Sequence, residues 1–203
     1  MWVIVGMIQN NIIGVTGITG SGTSTVSAIL KEHGGFVINA DKLAHDVMRK
    51  GEAAYEKIVS HFGTDILSSN GEVNRKALGA LVFGNTKKLS ILESIIHPEV
   101  IAKTHELLRH TTGHPFAVID APLLIESEMH KICNSVWLIT APDDIRIKRI
   151  MSRDSIDYQT AIRRLDSRTG DDFLRLYASL VINNNADLAS LKSEVAKCII
   201  KML

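Results

Sequence analysis

Five short apolar runs mark this chain: 12–16, 36–39, 116–120, 135–140 and 180–183. Each is rich in Val, Ile or Leu rather than alternating with polar residues, and each ends near polar, Gly or Pro residues. That pattern predicts strands buried on both faces, as in a parallel sheet covered by helices. Segments with helical spacing lie between them. Residues 25–33 carry Val26, Ile29 and Leu30 on one face and stop at Gly34-Gly35. Residues 143–153 and 158–168 read as charged helices, and 188–202 as a closing amphipathic helix. Strands alternating with helices predict an α/β fold with a parallel sheet.

Between the second and third runs the alternation is suspended. Residues 42–113 hold helix-like segments and no convincing strand. Residues 53–62 place Tyr55, Ile58, Val59 and Phe62 on one face, and 76–83 and 88–96 repeat the pattern. This stretch is expected to form an inserted helical lobe, with His97-Pro98 closing one helix and orienting the next. There is no internal repeat and no low-complexity segment.

Composition narrows the class without naming a function. With 203 residues, the prior is one domain, or one domain with an embedded lobe. Lys plus Arg number 23 and Asp plus Glu 22, so a chain-wide electrostatic grip on nucleic acid or anionic membrane is not expected. A local anion site remains open. Two cysteines, Cys133 and Cys198, are too few for a disulfide framework, and a reducing cytoplasm is the expected compartment. The apolar stretch 1–8 is far short of a membrane span and lacks a basic n-region; it reads as an extra strand or leader, or as sequence upstream of a start at Met7.

The sharpest local chemistry is Gly17-Ile-Thr-Gly20-Ser21-Gly22-Thr23-Ser24-Thr25, after the first apolar run and before a helix. That is the setting of a phosphate-binding loop of the form G-x-x-x-x-G-K-[ST]. Glycines let backbone N–H groups turn inward on an anion, and the following helix adds its N-terminal donors. The Ser24 hydroxyl occupies the position that holds Mg²⁺ in such loops. The lysine position is Thr23, which offers a hydroxyl but neither charge nor reach.

A set of further motifs follows in order: Val37-Ile38-Asn39-Ala40-Asp41 with Ala44-His45; His61-Phe62-Gly63; Gly71 to Lys76 with Val82-Phe83; Leu92-Glu93 and His97-Pro98; Asp120 to Glu126; Arg149 to Asp154; and Val181-Ile182-Asn183-Asn184. Together with the glycine-rich turn they resemble the bacterial dephospho-CoA kinase family, from about Ile12 to the C-terminus. The resemblance implies a P-loop NTPase fold with a five-stranded parallel sheet flanked by helices. It further implies a core of about 12–41 and 114–203, a helical acceptor lobe of about 42–113 and a lid of about 146–178.

The implied reaction is ATP-dependent phosphorylation of the ribose 3′-hydroxyl of dephospho-CoA, with Mg²⁺. ATP and dephospho-CoA are then the partners, with neither nucleic acid nor membrane, and the protein a monomer or weak homo-oligomer. By resemblance Asp41 is the general base; its structural alternative is an N-cap for a helix over 42–49. ATP would be held by Gly20, Ser21, Gly22, Thr23, Ser24, Thr25, Arg149 and Asn183, with Ser24 at the metal. The acceptor would meet Arg75, His97, Asp120, Pro122, Leu123 and Leu124. Asn184 shares the strand-end position with Asn183, and Arg146, Lys148, Arg149 and Arg153 form a basic run whose alternative is a solvated helix face.

Four positions depart from the family pattern. Thr23 replaces the loop lysine, Ile101 stands where an arginine is usual, Arg168 stands where the lid-side helix usually ends in a glutamine, and Ala178-Ser179-Leu180 replaces an Asp-Asp pair. Loss of cations beside phosphate points toward weakened catalysis, with Arg168 a candidate to compensate. The alternatives are therefore a catalytically impaired paralogue that binds nucleotide or a CoA-like ligand as a sensor or interaction module, or a P-loop kinase for another small acceptor. His105, His110 and His114 lack a clear carboxylate or cysteine partner and are read as surface residues rather than a metal cluster.

Overall fold

The computed structural model describes residues 11–165 and 171–202. The N-terminal leader and Arg168 lie outside those residues. β1 (Asn11–Thr16), β2 (Phe36–Asn39), β3 (Phe116–Asp120), β4 (Ser135–Thr140) and β5 (Leu180–Asn183) form one parallel sheet in the order β2-β3-β1-β4-β5. β1 is central. Its Val15 lies opposite Asp120 of β3 on one side and Trp137 of β4 on the other.

The continuous apolar runs are explained by burial on both faces. On one face, α1 (Thr23–Glu32) and α9 (Leu188–Met202) pack together over Ile13, Val15, Phe116 and Trp137, contributing Val26, Ile29, Leu30, Leu191, Val195 and Ile199. Elsewhere in the core, Gly14 of β1 lies against the turn after β3. A Cβ at Gly14 would lie 2.6 Å from Leu124 Cδ2 and 2.8 Å from Cys133 Sγ, so any larger residue there would have to push both side chains aside. Among the described residues this unit also contains α6 (Asp143–Asp154), α7 (Tyr158–Leu165), α8 (Asp171–Arg175) and a 3₁₀ turn at Met129–Ile132.

Contacts divide the chain into two compact units, one of residues up to Ile38 with Thr111 onward and one of Asn39–His110. The second contains α2 (Ala40–Asp46), α3 (Ala53–Phe62), α4 (Arg75–Val82) and α5 (Thr86–Leu108), with a short 3₁₀ turn at Thr64–Ile66. Asparagines open three of its helices: Oδ1 of Asn39, Asn74 and Asn85 accept from the Lys42, Lys76 and Ala77, and Lys88 N–H groups respectively. These caps start α4 and α5 one or two residues earlier than apolar periodicity indicates.

α5 corrects the expectation of a break at His97-Pro98: it runs 23 residues straight through Pro98. Proline removes one helix donor and crowds the carbonyl four residues back, at a cost of about 3 kcal/mol. Tertiary packing offsets it. α2, α3 and α4 all lie along α5, which buries Val100 and Thr104, and Lys57 of α3 pairs with Glu99 at 2.7 Å, one residue past the proline. No helix among the described residues is long and apolar enough to cross a membrane.

Candidate active site

Where β1 ends, the chain turns over residues 17–22 and enters α1 at Thr23. Gly20 and Gly22 adopt φ of 84° and 98°, the left-handed region that favours glycine. Gly17 is required for a different reason: a Cβ there would lie 2.4 Å from the Ile139 carbonyl and 2.6 Å from Ser21 Oγ. The Ser21 N–H donates to the Ile18 carbonyl at 3.0 Å and closes the turn.

The inner side of this loop is rich in unspent donors. Among the described residues, the N–H groups of Gly20, Gly22, Thr23 and Ser24 have no hydrogen-bond acceptor. α1 also has no side-chain N-cap and no acidic residue in its first turn. Its positive end is thus left for an external anion. Ser21 is 1% exposed and its Oγ has no partner, an orphaned polar atom beside the same loop. Thr23 is half-buried, with its Cγ2 3.2 Å from the Cβ position of Gly17; Ser24 and Thr25 are exposed.

The outer side of the loop is held by long-range side chains. Arg146, 4% exposed, donates from Nε to the Thr19 carbonyl at 3.0 Å and pairs with Asp143 at 2.7 Å. Arg149 donates from Nη1 to the Ser21 carbonyl at 3.2 Å and the Gly20 carbonyl at 3.4 Å. Its Nη2 donates to the backbone and side-chain oxygens of Asn184 at 3.1 and 3.2 Å. Asn184 Nδ2 in turn donates to the Ser21 carbonyl at 2.8 Å. The basic run therefore splits. Arg146 is not on a solvated face, whereas Lys148 is exposed and Arg153 pairs with Asp154, which also meets Arg164. The hydrogen bond from Arg153, reinforced by both guanidinium charges, lowers the Asp154 pKa.

Asn183, expected at the nucleotide, is exposed and accepts from Thr140 Oγ1 at 2.9 Å; its neighbour Asn184 is the one that reaches the loop. The only sequence signal for that distinction is the alternation along β5, which turns successive side chains to opposite sides. Asp120 is buried at the end of β3. Pro122 and Leu123 are half-buried, and the Pro122 carbonyl accepts from Thr16 Oγ1 at 3.4 Å. Leu124 is 0% exposed, so it packs against Gly14 and has no surface to lend a ligand.

In the helical unit, Asp41 sits in the first turn of α2, exposed, while Asn39 makes the N-cap. The capping alternative for Asp41 is thereby overturned. Arg75 opens α4 and lines a concavity of about 270 Å³ with Lys42, His45, Arg49 and Glu72. Partial burial and then the Arg75 charge lower the His45 pKa, against the opposing pull of Asp41 and Asp46. The clustering of Lys42, His45 and Arg49 around Arg75 was not evident from the sequence, since residues 49 and 75 are joined only by folding. His97 is half-buried within α5. Among the described residues, no three His, Cys, Asp or Glu side chains form a metal-holding group.

A parallel sheet whose central strand opens through a glycine-rich turn into a helix with free N-terminal donors defines a P-loop kinase fold. Shikimate kinase from Acinetobacter baumannii shares that fold, with a TM-score of 0.53 at 18% identity over 95% of this chain and 94% of that one. A dephospho-CoA kinase from Campylobacter jejuni superposes with a TM-score of 0.70 at 31% identity, covering 95% of this chain and 96% of that chain. The family model for dephospho-CoA kinase matches residues 11–190. A dephospho-CoA kinase from Carboxydothermus hydrogenoformans is 36% identical over 186 residues, 91% of this chain and 90% of its own. This chain belongs to the dephospho-CoA kinase family.

Proposed function

We propose that this protein transfers the γ-phosphoryl group of ATP to the ribose 3′-hydroxyl of dephospho-CoA, the last step of coenzyme A biosynthesis. The observation that carries the reading is the loop: free N–H groups at Gly20, Gly22, Thr23 and Ser24 at the uncapped start of α1. These donors bind the polyphosphate and face the charge that develops on it. The acceptor oxygen attacks the γ-phosphorus, the bond from that phosphorus to the β–γ bridging oxygen breaks, and ADP leaves. The Asp41 carboxylate takes the hydroxyl proton; Asn39 does the capping, which leaves that carboxylate available. Arg75 and its neighbours around the concavity supply positive charge to the phosphate-bearing acceptor. Residues 146–178 act as the lid.

The residues suit Mg²⁺ held mainly by substrate oxygens and water, because the protein needs to add only one or two ligands. The exposed Ser24 hydroxyl is the side chain that would contribute, and the ion would neutralise charge on the phosphates.

Thr23 favours a second reading, a family member that binds nucleotide or a CoA-like ligand with little turnover. A charge-assisted hydrogen bond is worth roughly 1.5–3 kcal/mol, so the missing lysine costs about 10- to 100-fold in rate. Wild type and Thr23→Lys are assayed for dephospho-CoA phosphorylation with MgATP. Slow wild-type turnover, raised about 10- to 100-fold by the lysine, is expected. Absence of turnover in both, with ATP or CoA still raising the Tm, supports the binding reading. Absence of turnover and of binding refutes both.

A further inference from the structure

We infer that Asn184 is a positioning residue for the phosphate loop: it sets the direction in which the loop's amides point. This rests on the proposed function only for the identity of the ligand. A trans peptide unit carries its C=O and N–H on opposite sides, so fixing a carbonyl aims the next residue's amide the other way. Three successive loop carbonyls are held outward. Arg146 holds that of Thr19, Arg149 that of Gly20, and Arg149 with Asn184 that of Ser21. The N–H groups of Gly20 and Gly22, which share peptide planes with the first and third of these carbonyls, are among those left without an acceptor among the described residues. The middle plane is consistent too: its Ser21 N–H donates inward to Ile18.

Asn184 is the keystone of this arrangement because it works in both directions. Its Nδ2 donates to Ser21 at 2.8 Å while its Oδ1 and backbone carbonyl receive Arg149. It is 5% exposed, and its own N–H is anchored to the Thr140 carbonyl at 2.7 Å. A side-chain amide carries its donor and its acceptor on separate atoms, so it can serve two partners at once. Asn184 therefore touches no phosphate; it spends its hydrogen bonds on the back of the loop so that the front is free. Arg149 belongs to the same device, since its Nη1 and Nη2 groups are spent on the Gly20 and Ser21 carbonyls and on Asn184.

The test is Asn184→Asp, an isosteric change that keeps the acceptor for Arg149 and replaces the donor to Ser21 with an oxygen. MgATP affinity is measured by calorimetry, Tm by melting, and loop amides by hydrogen exchange and NMR. The Kd and KM for MgATP are expected to rise about tenfold, the KM for dephospho-CoA to stay unchanged, and the Gly22 amide to change shift and exchange rate. A merely structural role would lower Tm without separating the two KM values. Arg149→Met, on a half-buried site, provides a second variant should Asn184→Asp not fold; it too must weaken MgATP selectively. A folded variant of either kind with wild-type MgATP affinity overturns the inference. If wild type binds no MgATP, the proposed function fails instead, and an unchanged Gly22 amide in either folded variant then overturns this inference by itself.

Discussion

Replacing Gly22 with alanine tests the loop geometry directly. The added Cβ would sit 2.2 Å from Asn184 Nδ2 and the residue would keep a φ of 98°. Left-handed backbone costs an L-residue with a Cβ roughly 1–2 kcal/mol. The clash must displace the Asn184 amide by more than an ångström, which breaks its bond to Ser21. Leaving those buried groups unpaired costs about 1–3 kcal/mol more. Against this, alanine narrows the unfolded ensemble and returns about 0.4–1 kcal/mol. The net is a destabilisation of roughly 1–5 kcal/mol, which for a chain of this size lowers Tm by about 2–18 °C. Gly113→Ala is the control: φ there is 91°, but nothing lies within 4 Å of the new Cβ. Both variants are melted with and without MgATP. Gly22→Ala is expected to melt well below Gly113→Ala and to lose most of the nucleotide-induced shift. Equal Tm values for the two, or a wild-type shift in Gly22→Ala, would refute the close approach of Asn184.

Asp41→Asn is expected to lower kcat by about 100- to 10,000-fold with little change in Tm, because Asn39 retains the helix cap; a large Tm loss with unchanged kcat would place Asp41 in the scaffold instead. His45 is expected to titrate below 6.5 in ring-proton NMR, first because it is partly buried and next because Arg75 is nearby. A depressed folded pKa means that its contribution to stability is whole above 6.5 and is lost as pH falls through the folded value. Arg75→Gln should move that midpoint upward, and an unmoved midpoint would contradict the pairing.

Much of the fold was legible because strands buried on both faces need continuous apolar runs. The runs at 36–39, 116–120, 135–140 and 180–183 coincide with β2 to β5. The glycine-rich loop was legible for a similar reason: positive φ at Gly20 and Gly22 and the close approach at Gly17 leave few residue choices. Helix starts were less so. Asn74 and Asn85 begin their helices through single side-chain bonds that periodicity does not register.

What the sequence by itself determined, then, is the set of elements and the presence of a loop able to turn amides inward. Tertiary structure decided what the polar residues do. Arg146 and Arg149 look like any basic helix run until the loop, more than 120 residues away, presents its carbonyls to them. Asn183 and Asn184 are the same residue type at adjacent positions, yet only Asn184 is buried against Ser21. Asp41 is free because Asn39 caps, and α5 survives Pro98 because three helices pack along it. Periodicity records which way a residue faces within its own element. The partner that it meets there comes from another part of the chain, and only folding brings that partner within the reach of a hydrogen bond.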